Sequence, residues 1–304
     1  MPVRIIIFLL SALLIDISPG WTKTFTDDMG RKVELSESPT RIVSLAPSIT
    51  EMLFYLDLGE RVVGVTAFCN YPEEARRKPS IGFMINPDLE KIVSLQPDLV
   101  FATAEGNRRD VVDTLERVGI KVYVLAPYRL EDIFREILSI GEITGEGDRA
   151  RERVKELKAR VEAIRHKTEG VKGIKILYLI STDPIISVGK GSFIHDIIEI
   201  AGGENVAANL STRYPRMQME DIVVRDPEVI LGPPDVIKEV GKWKRRWGKI
   251  SAIKNDRIYS IDADIVNRPG PRVVEGVEVV YRYIHGDYRN PEKMQGHSKD
   301  PASK

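Results

Sequence analysis

Short apolar runs alternate with amphipathic stretches along most of the chain. Residues 41–46, 62–66, 99–103 and 121–126 are apolar and bounded by turn formers, the pattern of buried strands. Between them the periodicity predicts helices from Ser48 to near Gly59, over about 88–96 and over 107–118. Ser48 and Glu51 are spaced as a capping box for the first of these. Before them, residues 25–35 alternate weakly around Asp27-Asp28-Met29-Gly30, which predicts a hairpin. Strand–helix alternation of this kind argues for an α/β fold with mostly parallel sheets and helices on both faces.

The helical pattern resumes over 130–143, then runs from Asp148 to Lys167 with no glycine or proline inside. Val154, Leu157, Val161 and Ile164 recur at three and four, and the other faces are charged. Such a helix spans about 30 Å, the width of a small domain. It reads either as a rigid strut between lobes or as a surface helix of one domain. A second strand–helix region follows, with strands at 175–180, 229–231 and 257–261, a helix from Ser192 to about Ala201, and a last helix over 271–285.

One 13-residue segment occurs twice. Leu89-Glu-Lys-Ile-Val-Ser-Leu-Gln-Pro-Asp-Leu-Val-Phe101 lies over Met219-Glu-Asp-Ile-Val-Val-Arg-Asp-Pro-Glu-Val-Ile-Leu231. Each copy reads as a short helix, a proline stop and a buried strand. Flanking pieces also correspond: residues 58–62 with 202–206, and 119–123 with 256–259. A period this long is a domain duplication rather than a solenoid. The expected organisation is an N-terminal lobe over 21–145, a linking helix over 146–168 and a C-terminal lobe over 169–286, with a ligand cleft between the lobes. Glu90 and Glu220 stand at matching first turns, which the helix dipole favours for each alone. As a pair they present two equivalent negative knobs, suited to a partner with two basic pockets.

The ends and the composition narrow the class. Residues 5–15 are apolar after Arg4, and Ser18 and Gly20 precede Trp21 with cleavage-site spacing, so residues 1–20 read as a secretory signal peptide. An uncleaved anchor is the other reading of that segment. No cysteine stands at the cleavage point, which excludes a lipid-modified start. Residues 287–304 are polar and read as a disordered tail. Lys plus Arg equals Asp plus Glu at 45 each, so nothing suggests a nucleic-acid partner. Cys69 is the single cysteine, in a packed or cleft-wall position, and no disulfide can form within the chain. His166, His195, His285 and His297 lack zinc spacing, and no bare-metal site is expected. Gly189-Lys190-Gly191-Ser192 lacks the upstream glycine of a phosphate loop. It reads as a turn, with an anion-receiving helix end as the alternative. Hydrolase elbow and zinc-protease motifs are absent, so no enzyme and no cofactor is expected.

The sequence resembles the cobalamin and siderophore periplasmic binding proteins of bacterial ABC importers, the class with a rigid helix between lobes. The resemblance covers about residues 25–286. It rests on Arg41-Ile-Val-Ser-Leu-Ala-Pro-Ser-Ile-Thr-Glu51, Val63-Gly-Val-Thr66, Asn70-Tyr-Pro72, Leu89-Glu-Lys-Ile-Val93, Gln96-Pro-Asp98 and Arg268-Pro-Gly-Pro-Arg272. It implies a periplasmic, monomeric carrier that captures a corrinoid and delivers it to a permease dimer, docking through Glu90 and Glu220. Within the same class an iron-siderophore or haem is the alternative ligand. The alternative of another class is an extracytoplasmic enzyme acting on a tetrapyrrole or metal chelate, which would need a convergent acid/base or metal constellation in the cleft. The resemblance to the cobalamin branch places Phe68, Tyr214, Asp264 and Arg268 at the ligand. Phe83 and Thr103 fall where that branch carries large aromatics. Ser48, Tyr71 and Arg213 complete the candidate ligand contacts, and Arg213 with Arg216 adds positive charge to the rim.

Overall fold

A computed structural model of the protein describes residues 22–243 and 247–286. The segment read as a signal peptide and the tail at 287–304 lie outside these residues. The chain opens on an antiparallel hairpin, β1 (Lys23–Thr26) and β2 (Lys32–Leu35). Asp27 closes its turn by accepting from the backbone N–H groups of Met29 and Arg31, at 3.0 and 2.8 Å.

The N-terminal lobe is built on a four-stranded parallel sheet. Its strands are β3 (Ile42–Ser44), β4 (Val62–Val65), β5 (Leu99–Thr103) and β6 (Val122–Leu125), in the order β4-β3-β5-β6. The C-terminal lobe repeats the plan with β7 (Ile174–Thr182), β9 (Gly203–Asn205), β10 (Val229–Gly232) and β11 (Ile258–Ser260). Their parallel order is β9-β7-β10-β11, so β3 to β6 correspond to β7, β9, β10 and β11. One strand breaks the correspondence. β8 (Ile185–Ser187) turns back at Asp183-Pro184 and pairs antiparallel with the far half of β7. Three residues carry too little periodicity to be seen as a strand in the sequence.

The repeated segment folds the same way twice. Its helices are Leu89–Ser94 and Met219–Arg225, in which Ile92 and Ile222 are fully buried. Both end through a residue with left-handed backbone at the matching position, Gln96 (φ 47°) and Asp226 (φ 45°). The acid after each proline then clamps the start of the first strand of its lobe. Asp98 accepts from the N–H of Arg41 at 2.8 Å, and Glu228 from that of Lys175 at 3.0 Å. Burial opposes the charge of Asp98, but the donors on Thr40 and Arg41 outweigh it and hold its carboxyl below the ordinary range.

The first helix begins earlier than its capping-box spacing predicts. It spans Pro47–Tyr55 with Ala46 as N-cap and no side-chain cap. Proline at the first helical position pre-sets φ and has no N–H to satisfy, so no serine cap is needed. Ser48 and Glu51 lie inside the helix and face elsewhere. The helix also stops before Gly59, because Asp57 takes the left-handed turn at φ 58°.

The helix Gly147–Thr168 joins the lobes. Ala150, Val154, Leu157, Val161 and Ile164 form its buried stripe, which is part of one core that runs through both lobes. Its outer face is tied to each lobe in turn. Lys158 reaches Glu131 at 2.7 Å and Arg160 reaches Glu278 at 2.9 Å. A second core lies on the outer face of each sheet. The lobes are therefore fused along one side and open along the other. Among the described residues no helix is long and apolar enough to cross a membrane.

Candidate functional site: the cleft between the lobes

Loops that follow the carboxyl ends of the strands converge between the lobes, where open α/β sheets form their crevices. They enclose a cavity of about 560 Å³. Ser48, Phe68, Thr103, Tyr214 and Arg268, all singled out in the sequence, line it. Phe68 is 56% exposed and Tyr214 39%, high values for rings of this size. Phe83 stands beside Phe68 with ring centroids 5.6 Å apart, forming an aromatic wall just outside the cavity lining.

The remaining candidates sit one contact further out. Arg213 pairs with Glu105 across the cleft mouth and stacks over Tyr128 at 3.6 Å. Tyr214 donates to the same carboxylate at 3.3 Å. Burial, together with Glu105, pushes the Tyr214 phenol up to about 12. Asp264 accepts from Arg268 at 2.6 Å and from Asn70 at 2.8 Å, so it orients the arginine rather than lining the cavity. Tyr71 lies under Arg272 at 4.1 Å and lines a separate cavity of about 320 Å³ against the linking helix. The backbone of Arg216 bridges to Ile186 at the sheet edge.

Two acid–arginine bridges tie the lobes together on either side of the cleft. Glu51, inside the first helix of the N-terminal lobe, accepts two bonds from Arg272, at 2.7 and 2.9 Å, and one from Arg268 at 3.2 Å. Asp196, inside the helix Phe193–Ile200 of the C-terminal lobe, accepts three from Arg129, at 2.6, 2.8 and 3.0 Å. Arg129 is the N-cap of the helix Leu130–Thr144, and Arg272 is the N-cap of the helix Val273–His285. Each lobe thus offers an acid from its first helix and an arginine from the cap of a long helix that follows its fourth parallel strand, in the C-terminal lobe after the short helix Ala263–Val266. The pairs are reciprocal, as a duplicated fold requires.

Sequence reasoning missed Glu105, Asn267 and Phe193 in the cavity wall, and both bridges. Glu105 was accessible to it, two residues beyond the end of β5 where crevice residues gather. Asn267 was not, because its amide is set by the fully buried Tyr178, whose hydroxyl donates to it at 2.7 Å. Gly189-Lys190-Gly191-Ser192 is a turn. Gly189 passes so near the 212–213 backbone that a Cβ would clash with the Thr212 carbonyl oxygen, and Ser192 caps the following helix. Cys69 is buried, within 3.1 Å of the Thr50 hydroxyl and 3.2 Å of that of Thr66. Among the described residues no cluster of His, Cys, Asp and Glu is placed to hold a metal.

A family model described as periplasmic binding protein matches residues 42–265. An uncharacterized ABC transporter substrate-binding lipoprotein of Bacillus subtilis is 32% identical over 271 residues, 87% of this chain and 86% of that one. Among solved structures, the periplasmic vitamin B12 binding protein of Vibrio cholerae superposes with a TM-score of 0.73 at 28% identity, covering 81% of this chain and 96% of that one. The periplasmic heme-binding protein of Roseiflexus sp. RS-1 superposes with a TM-score of 0.72 at 25% identity, covering 81% and 97%.

Proposed function

This chain belongs to the periplasmic binding protein family, and we propose that it carries a corrinoid through the periplasm to an ABC importer. Proteins of this family bind solutes for transport and are not enzymes. The observation that carries the ligand reading is the composition of the cleft. Aromatic rings stand exposed at Phe68 and Tyr214, and the one arginine lining the cavity, Arg268, is already bound by Glu51 and Asp264. A wall of rings without an uncommitted cation favours a large, amide-rich and nearly neutral ligand over an anionic iron-siderophore. Haem asks more of the protein. Its iron takes an axial ligand from the protein, and the cavity lining offers Met84 and Tyr214 for that role but no histidine. A cobalamin brings its own axial groups.

Titration with cyanocobalamin, followed by absorbance, tests this reading, with haem and a ferric hydroxamate in parallel. Saturable one-to-one binding of cyanocobalamin is expected, and Phe68→Ala or Tyr214→Ala each weakens it roughly tenfold, about 1.4 kcal/mol. Tighter binding of haem or the hydroxamate would overturn the corrinoid assignment.

Delivery rests on the repeated glutamates. Glu90 and Glu220 are exposed at equivalent first turns, and neither carboxylate makes an ion pair or hydrogen bond among the described residues. They suit two equivalent basic pockets on a permease dimer. The carrier then works as an exported monomer released from its signal peptide. Replacing both with lysine should abolish transport and leave ligand affinity intact; lost affinity would refute the docking role.

A further inference from the structure

The surface around the two glutamates carries a second duplicated feature. Val93 is 45% exposed and Val223 is 37% exposed, although the preceding residue in each helix, Ile92 or Ile222, is completely buried. Both valines occupy the same position of the repeat, three residues after the glutamate, and so share its helix face. The C-terminal copy adds Val224, which at 84% is the most exposed large apolar side chain among the described residues; the N-terminal copy has Ser94 at that position. A single exposed valine on a soluble protein needs no explanation. The same exposed valine beside the same unpaired carboxylate on both lobes does.

We propose that each ridge docks as a two-part plug, with the glutamate steering it to a basic pocket and the valine face seating on apolar side chains at that pocket's rim. The occupant is the two-fold symmetric membrane permease of the importer, because two equivalent ridges ask for the same seat twice. The proposal rests on the docking role of Glu90 and Glu220. The two parts do different work. Charge raises the encounter rate and is screened by salt, whereas desolvated apolar contact governs how long the complex lasts.

The test is the binding kinetics of the full-length carrier on its permease complex in lipid nanodiscs, at 50 and 300 mM salt. V93D/V223D should raise the dissociation rate at least tenfold, with the salt dependence of association as in the parent. V224S, a change at a position 84% exposed and outside the core, should raise it about threefold. E90K/E220K should abolish salt-dependent association. Parent-like dissociation of both valine variants, with loss of binding only in E90K/E220K, would overturn the apolar seat and leave the charge docking intact. Parent-like binding of E90K/E220K would instead overturn the docking reading beneath it. A concentration-dependent dimer of the free carrier, dissolved by V224S in sedimentation, would assign the valines to a second copy of this chain.

Discussion

The two cross-lobe bridges are one device at two depths. Glu51 and Arg272 retain 2% and 13% of their side-chain exposure, and Arg268 adds a second guanidinium to the same carboxylate. Asp196 retains 12%, but its partner Arg129 is 48% exposed. The duplication supplied the same donor and acceptor positions twice, and burial then made them unequal. The inner bridge cannot lose one partner without stranding a charge away from water. The outer bridge can hand its arginine to solvent. Movement of the lobes should therefore pivot about the Glu51 side while the Asp196 side gives.

Removing each acid tests that asymmetry. Glu51→Ala leaves two arginines without their shared carboxylate and should cost about 3–5 kcal/mol in denaturant unfolding. A loss as small as that of an exposed pair would contradict the assignment of Glu51 as the pivot.

Another buried acid, Glu136, sharpens the point, because among the described residues no arginine forms an ion pair with it. Glu136 is 1% exposed and neither oxygen has a hydrogen-bond partner. Burial, reinforced by nearby Asp28, raises its carboxyl to about 10. The folded protein therefore holds a proton there that the unfolded chain releases. This contribution is fully present below the ordinary carboxylate pKa and is lost as pH rises toward 10, amounting to about 3 kcal/mol by pH 7. Glu136→Gln keeps a polar group but cannot ionise, so its melting temperature should gain on the parent steadily between pH 5 and 8. A gap that stays constant over this range would mean that Glu136 is not protonated in the fold.

Smaller effects should follow at the outer bridge and the mouth. Asp196→Ala removes three side-chain bonds and the acceptor for the Leu130 N–H at 2.9 Å, and should cost about 1–3 kcal/mol. Amide exchange at the start of the helix Leu130–Thr144 should rise with it, and unchanged exchange would remove the bridge from the account of lobe contact. Arg213→Ala breaks the pair across the mouth, where both side chains are about one-third exposed. Its stability cost should stay under about 1 kcal/mol, while ligand association quickens as the mouth opens. Slower association would mean that Arg213 recruits the ligand rather than barring it.

Much of the fold was legible because its signals are local. The apolar runs at 99–103 and 122–125 lie within their strands, and the stripe Val154, Leu157, Val161, Ile164 is the buried face of the linking helix. The repeat at Glu90 and Glu220 was visible because helix, proline and strand each leave a mark in sequence. The cap of the first helix was misplaced by two residues, at Ser48 rather than Ala46, because Ser48-Ile-Thr-Glu51 copies a cap that Pro47 makes unnecessary. Phe68, Tyr214 and Arg268 were found through resemblance, and nothing in their own neighbourhoods marks them as sharing one cavity.

By itself the sequence determined the strand–helix alternation, the duplication and the continuous helix between the lobes, since periodicity, proline stops and matching segments act over a few residues. Tertiary structure decided which charges meet. Glu51 and Arg272 are 221 residues apart and Glu105 and Arg213 are 108 apart. Whether a carboxylate becomes a pivot, a latch or a protonated core group depends on the cation and the water left beside it after packing, and no local pattern encodes that.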